Sequence, residues 1–327
     1  MFKKIIQLFI CTTLFFCAQT AFAQTEFKLA TFAPDGTPWS VLLKKINKQI
    51  AKESNQALKG KVYLGGVKGD EQAIVRQINS GALQMGGVSS GAIATIAKDM
   101  DILELPYAFA NYEEVDRVME QAKPLIEQIL EQNGFKLLIY SENGYRNFAS
   151  KSKCITSPAD LKAVKMRSQE SEVHLETYRA LDASPVPISG GEVMSSLQTG
   201  VVDGFDNTAL ITQATGWNQA IKYFSLTEHI YQPAFIIANK AWFDALPKEH
   251  QDLFINIGKS LEKDGKKMVR DMTAPLLDNF KEQGITICDL TDDQKKAFKQ
   301  KTAGVWDKKY AKSSDLGKKL IDLLRKK

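Results

Sequence analysis

The feature that most restricts the fold of this chain is a regular alternation of extended and helical stretches. Phe27-Lys28-Leu29-Ala30-Thr31-Phe32 reads as a strand, and Asp35-Gly36-Thr37-Pro38 follows it with a turn, a capping threonine and a proline at the first helical position. Trp39, Leu42, Leu43, Ile46 and Ile50 then recur along one face of a helix. Val62-Tyr63-Leu64 gives a second strand, glycines lead into a helix carrying Ile74, Val75 and Ile78, and a third strand surrounds Met85 and Val88. Strand and helix at this rhythm predict βαβ units and a mainly parallel sheet, the α/β class.

The pattern returns with other lengths. Phe135 to Ser141, Tyr145 to Ala149, Val164 to Arg167, Val186 to Ile188 and Phe235 to Ala238 read as strands, and Val201 to Gly204 as a strand passing into a loop. Helices are expected through Leu175, Tyr178 and Leu181, and from Glu192 to Gln198 with a stop at Gly200. From Pro247 to about Gly284 one side carries Leu253, Phe254, Ile257 and Leu261, with Pro275 expected to bend the helix or divide it. A chain of 327 residues exceeds what one core usually serves. Two lobes are therefore expected, and without a low-complexity linker the chain must cross between them, which makes a hinge.

The first 23 residues have the order of an export signal. Lys3 and Lys4 precede an apolar run from Ile5 to Cys17, and Ala21-Phe22-Ala23 places small residues around a cut before Gln24. The run falls short of the ~20 residues that span a bilayer, and Phe16 is too large for the residue before a lipid-modified cysteine. A free, periplasmic protein is the expectation. Of the four cysteines, Cys154 and Cys288 would remain, in a compartment that permits a disulfide without requiring one. The formal charge of +5 falls by two with Lys3 and Lys4, and an excess this small points to no nucleic acid.

Catalytic motifs are sparse. Gly87-Val88-Ser89-Ser90-Gly91 fits the nucleophile-elbow pattern after a strand, but a hydrolase would also need one of His174, His229 or His250, and none has a convincing setting. A small-residue loop is the simpler reading of Ser89. Gly258-Lys259-Ser260 lacks the first glycine of a phosphate loop, and the three histidines and two remaining cysteines show no metal-ligand spacing, so no metal or cofactor is expected. Two arginines stand at strand ends, where ligands sit in α/β folds. Arg146 follows a glycine turn, and an ordinary salt bridge is the default for it; Arg167 is aimed toward a loop by the apolar strand before it. A guanidinium there can grip a carboxylate with two parallel hydrogen bonds.

Several runs in order then resemble a known family. They are Leu29 to Trp39, Gly81-Ala82-Leu83-Gln84-Met85, Leu105-Pro106-Tyr107-Ala108-Phe109, Ser157 to Lys162 with Val164-Lys165-Met166-Arg167, and Gly191-Glu192-Val193 leading to Val202-Asp203-Gly204-Phe205-Asp206-Asn207. The succession resembles the dicarboxylate-binding type of substrate-binding proteins of tripartite ATP-independent periplasmic (TRAP) transporters. The resemblance implies two lobes, 24–144 with 233–270 and 145–232 with 271–327, strands crossing between them, and a long helix spanning both. It implies Arg167 as the main salt bridge to a ligand carboxylate, Arg146 and Asn207 as its helpers, and Phe32 and Ser89, with Ser90 beside them, facing the ligand from the first lobe. A monomer that delivers a small organic acid to the small and large TRAP membrane subunits is the implied role; a receptor passing occupancy to a signalling partner is the alternative within the fold. Ser168-Gln169-Glu170, Ser189-Gly190-Gly191 and Phe205-Asp206 depart from the usual pattern, which predicts a roomier pocket and a larger or more apolar acid than succinate.

Overall fold

The computed structural model describes residues 25–326, so the expected leader lies outside the described residues. Strands β1 (Thr25–Thr31), β2 (Leu58–Tyr63), β3 (Met85–Ser89), β4 (Phe135–Ser150), β5 (Met166–Ser168), β6 (Val186–Pro187), β7 (Gly204–Asn207), β8 (Tyr223–Asn239) and β9 (Thr286–Cys288) form one sheet. Their order is β2-β1-β3-β8-β4-β7-β5-β6, with β9 alongside β8. The pairings are parallel on the flanks, β2/β1/β3 on one side and β7/β5/β6 on the other. At the centre the pairs β3/β8, β8/β4 and β4/β7 are antiparallel. The mainly parallel sheet expected from the alternation is thus two parallel flanks joined by two long strands that cross in opposite directions.

Helices α1 (Pro38–Glu53), α2 (Glu71–Asn79), α3 (Ser90–Ile93) and α4 (Tyr112–Gln132) belong to the first stretch, and α5 (Glu172–Ala180), α6 (Val193–Thr199) and α7 (Ala209–Ala214) to the second. The chain closes with α8 (Lys240–Asp244), α9 (Lys248–Glu282), α10 (Asp292–Thr302), α11 (Gly304–Lys312) and α12 (Asp315–Arg325). Local chemistry explains the boundaries. Thr37 accepts a hydrogen bond from the Ser40 amide, Pro38 opens α1, and all five expected apolar positions of that helix are buried. Helix α6 stops because Gly200 turns left-handed at φ +74.

The two expected strands 135–141 and 145–149 are one, β4. Gly144 at φ +95 sits where its register against β8 shifts, so the chain bends there without ending the strand. Strand β8 begins at Tyr223, well before the expected Phe235, because Pro233 falls at that same irregularity, where a missing amide costs no regular pair. The strand expected at Val201 starts instead at Gly204, since Val202 still closes the turn after α6 through its bond to the Ser196 carbonyl.

Helix α9 is continuous through Pro275. Phe254, Ile257 and Leu261 pack with Leu42, Leu43 and Ile139 of the first lobe, and Leu276 and Phe280 pack with Trp217 and Phe224 of the second. Its approach to β4 needs Gly258, where a Cβ would lie 2.2 Å from the Leu138 carbonyl oxygen. Val305, Leu320, Ile321 and Leu324 return to the cluster of α4, beside Val115 and Met119, whereas Phe298 stays with Phe148 and Tyr178.

Cys154, in the loop after β4, is joined to Cys288 at the end of β9, closing a separation of 134 residues. Restricting so long a loop in the unfolded chain stabilises the fold by several kcal/mol in the loop-entropy account. Replacing both cysteines by serine is expected to lower stability by about 2–5 kcal/mol. Guanidinium unfolding of the variant, and of the parent with and without reductant, checks this.

Candidate functional site

The ends of the flanking strands face each other across a cleft. Thr31, Phe32, Trp39, Glu71, Gln72 and Val88 line it from the first lobe, and Arg146, Arg167, Gln169, Gly190, Asn207 and Trp217 from the second, with Asn143 and Gln232 from the crossing strands. Aromatic rings, side-chain amides, Glu71 and two arginines line it.

Those two arginines have different surroundings. Arg146, 1% exposed, is held on every side: Nε donates to Asp206 Oδ2 at 2.6 Å, Nη2 to the Asp206 carbonyl at 2.5 Å, and Nη1 to Gln232, Asn207 and Gln169 at 3.0, 3.2 and 3.3 Å. Asp206 is itself fully buried and accepts from Tyr178 Oη at 2.8 Å. Burial alone would raise its pKa, but the Arg146 charge and the nearby His229 and His174 win, and the carboxyl is held well below its ordinary 3.8.

Arg167 is also buried, at 4%, yet the one hydrogen bond its guanidinium makes among the described residues runs from Nε to the Ile188 carbonyl, at 2.8 Å. Its guanidinium lies 5.5 Å from the centre of the Trp217 ring, and no carboxylate among the described residues comes within 4.0 Å. Burial, followed by the Arg146 charge, brings its pKa down from 12.5 to about 10. Arg167 is a desolvated cation with a free edge facing the cleft.

Of the expected site residues, Arg146, Arg167, Asn207 and Phe32 line the cleft. Ser89 and Ser90 do not: both are fully buried, one at the end of β3 and the other opening α3. Ser89 Oγ donates to Glu71 at 2.8 Å and accepts from Gln169 at 3.2 Å, and Ser90 Oγ donates to Glu104 at 2.5 Å. The hydroxyl singled out by the nucleophile-elbow pattern therefore meets a carboxylate and an amide, while His174 pairs with Glu104 and His229 stacks on Phe148. Nor does Gly190 open empty space. A Cβ there would stand 3.3 Å from the Phe32 ring, so the missing side chain makes room for that phenylalanine.

Reading the sequence missed Glu71, Gln72, Trp217 and Gln232, and noted Gln169 only as part of a departure from the family pattern. Glu71 follows the capping Asp70 as the first residue of α2, where an acid suits the helix dipole and invites no further explanation. Its place after a strand and a glycine loop was the available signal. Gln169 bridges the lobes, since its amide nitrogen reaches Ser89 while its oxygen accepts from Arg146 and Gln232. Among the described residues no group of His, Cys, Asp and Glu is arranged to hold a metal ion.

Residues 29–313 match the family described as bacterial extracellular solute-binding protein, family 7. The chain belongs to that family. It is 27% identical over 259 residues to the 2,3-diketo-L-gulonate-binding periplasmic protein YiaO of Escherichia coli K12, covering 79% of this chain and 78% of that one. The ectoine-binding periplasmic protein TeaA of Halomonas elongata is 26% identical, over 83% of this chain and 81% of that one. In fold, the chain is similar to a TRAP periplasmic solute-binding protein from Sulfitobacter sp. NAS-14.1 solved with β-D-galacturonate. The TM-score is 0.88 at 23% identity, over 93% of this chain and 100% of that one. As a member of family 7 the protein is an extracellular solute-binding protein, with the two-lobed fold of the solved TRAP solute-binding protein.

Proposed function

We propose that this receptor binds an organic acid anion in the periplasm and hands it to the small and large membrane subunits of a TRAP transporter. The observation that carries this reading is Arg167, a buried guanidinium open to the cleft and paired with no carboxylate of the described protein. A ligand carboxylate would supply the missing partner in the two-pronged geometry that suits arginine. Arg146, with its own carboxylate satisfied, orients Asn207 and Gln169 around the same pocket. The relatives' ligands agree in kind, because diketogulonate, ectoine and galacturonate each carry a carboxylate.

A charge-assisted hydrogen bond contributes ~1.5–3 kcal/mol, whereas micromolar affinity needs ~8 kcal/mol. The remainder must come from the rings of Phe32, Trp39 and Trp217 and from the surrounding amides as the lobes shut. We assign residues 25–144 and 233–270 to the first lobe and 145–232 and 271–302 to the second; the last two helices, expected with the second lobe, pack against α4 and are assigned to the first instead. Ser89, enclosed with Glu71 and Gln169, supports the lobes' contact and not a nucleophile's task, so we take the protein to be a receptor and not an enzyme. It acts as a monomer, freed from its leader by cleavage before Gln24.

The test is what the protein carries. Receptor purified from the periplasm, without added ligand, is expected to release a carboxylic acid when denatured and analysed by mass spectrometry. Finding only uncharged or cationic solutes, together with no calorimetric response to any acid, would falsify the assignment.

A further inference from the structure

The sheet has a second cavity on its reverse face, behind Arg146. Side chains along a strand alternate between its two faces, and Arg146 lines the cleft whereas its neighbours Tyr145 and Asn147 line the cavity behind it. The same step separates Asn207 from Thr208, and on β8 Gln232 faces the cleft while Leu226 and Glu228 line the cavity. Asn143, beside the irregularity at Gly144, borders both spaces. One layer of sheet therefore divides them. Tyr112 of α4 closes the cavity from the first lobe, and Ala209 of α7 with Thr273 of α9 from the second.

The chemistry of this cavity differs from that of the cleft. The rings of Tyr112 and Tyr145 meet edge to face with their centres 5.1 Å apart. The Arg270 guanidinium over Tyr112 already serves Asp116 and Glu142, so no free cation awaits an anion. The charged side chain in the lining is Glu228, which is paired with Lys295. A carboxylate would meet a like charge there, and a cation would find its counter-charge taken. The Tyr145 hydroxyl is buried with no hydrogen bond among the described residues, a condition that calls for a partner. We propose that this cavity is a second binding site, for a small uncharged aromatic molecule carrying an N–H or O–H group, and that its occupation favours the closed receptor. The ring packs among Tyr112, Tyr145 and the apolar wall, and its polar hydrogen goes to the Tyr145 oxygen or the Glu228 carboxylate. Lobes that turn about the crossing strands approach each other on the Arg146 face and separate on the reverse one, so closing widens the cavity between Tyr112 and α7. An occupant that holds those two walls apart binds the closed form better, and such a difference in affinity is what shifts the balance. The inference rests on the receptor reading for that motion alone.

Indole serves as the probe. Ligand-observed NMR of the acid-free receptor is expected to show indole bound, and Ala209→Leu, which fills the cavity from α7, to weaken it about tenfold or more. Thr273→Leu fills the cavity from α9 and should act alike, with thermal unfolding of both variants as the control on folding. Small-angle scattering is expected to show the radius of gyration of the parent falling as indole is added, and both filled variants compact without it. Arg167→Ala, on the other face of the sheet, should bind indole as the parent does. Indole that is lost in Arg167→Ala or Trp217→Ala but kept in the filled variants occupies the acid cleft, which overturns the proposal. So does the absence of indole binding at millimolar concentration, or binding that leaves the radius unchanged. Failure of every carboxylic acid to bind overturns the receptor reading and leaves the indole binding and its loss in the filled variants standing.

Discussion

Arg167→Ala is expected to abolish measurable ligand binding while leaving the ligand-free protein as stable as before, or more stable. Arg167 carries its charge in a buried site next to Arg146, and its lowered pKa, about 10, shows that the native state disfavours the charge it holds. Removing the side chain costs the Ile188 bond and the contact with Trp217, but it relieves a buried repulsion. Titration calorimetry should therefore show at least a hundredfold loss of affinity, and the thermal midpoint should not fall. Affinity kept within tenfold would transfer the clamp's role to Arg146.

The reverse result is expected at Asp206. Asp206→Asn keeps the shape of the side chain but takes the counter-charge from a guanidinium that is 1% exposed, and such a buried orphan costs about 3–5 kcal/mol. Guanidinium unfolding at neutral pH reads this loss directly. The pH dependence has a definite sign. A carboxyl whose pKa is depressed in the native state contributes stability that is complete above its unfolded value, here 3.8, and is lost as pH falls through the lower native value. The gap between parent and variant should hold from neutral pH down to the upper end of that range and narrow below 3.8. A gap under 1 kcal/mol at neutral pH would mean that Gln169, Asn207 and Gln232 can carry the Arg146 charge unaided.

These two arginines also show how far the sequence could be read. Both were expected at strand ends, but Arg146 lies inside the continuous strand β4 and only Arg167 sits on a short strand beside a loop; both line the one cleft. Arg146 differs from Arg167 because of Asp206, which lies on β7 between their two strands but hands its carboxylate to Arg146, and nothing in the spacing along the chain announces that pairing. The default salt bridge weighed for Arg146 is present, but in the interior. Phe32 and Asn207 were legible through the order of motifs. Ser89 and Ser90 were expected to face the ligand but are absent from the cleft lining, because a strand end that passes straight into a helix turns its hydroxyls back onto the structure as caps and props. The first half of β8 was hidden by Pro233 and by the polar residues before it, whose partners lie on β4, far away in sequence.

The order in which the chain completes itself has a consequence for how it is made. Strand β9 adds to β8 late in the sequence, Cys288 finds Cys154 across 134 residues, and α12 must arrive before the cluster of α4 is covered. Neither lobe can be finished from an N-terminal fragment, since each waits for residues near the other end. Such long-range closure slows folding. A nascent chain of this design stays loose until almost all of it has been synthesised, which is the condition a protein needs in order to be threaded through a membrane channel and to fold only on the far side.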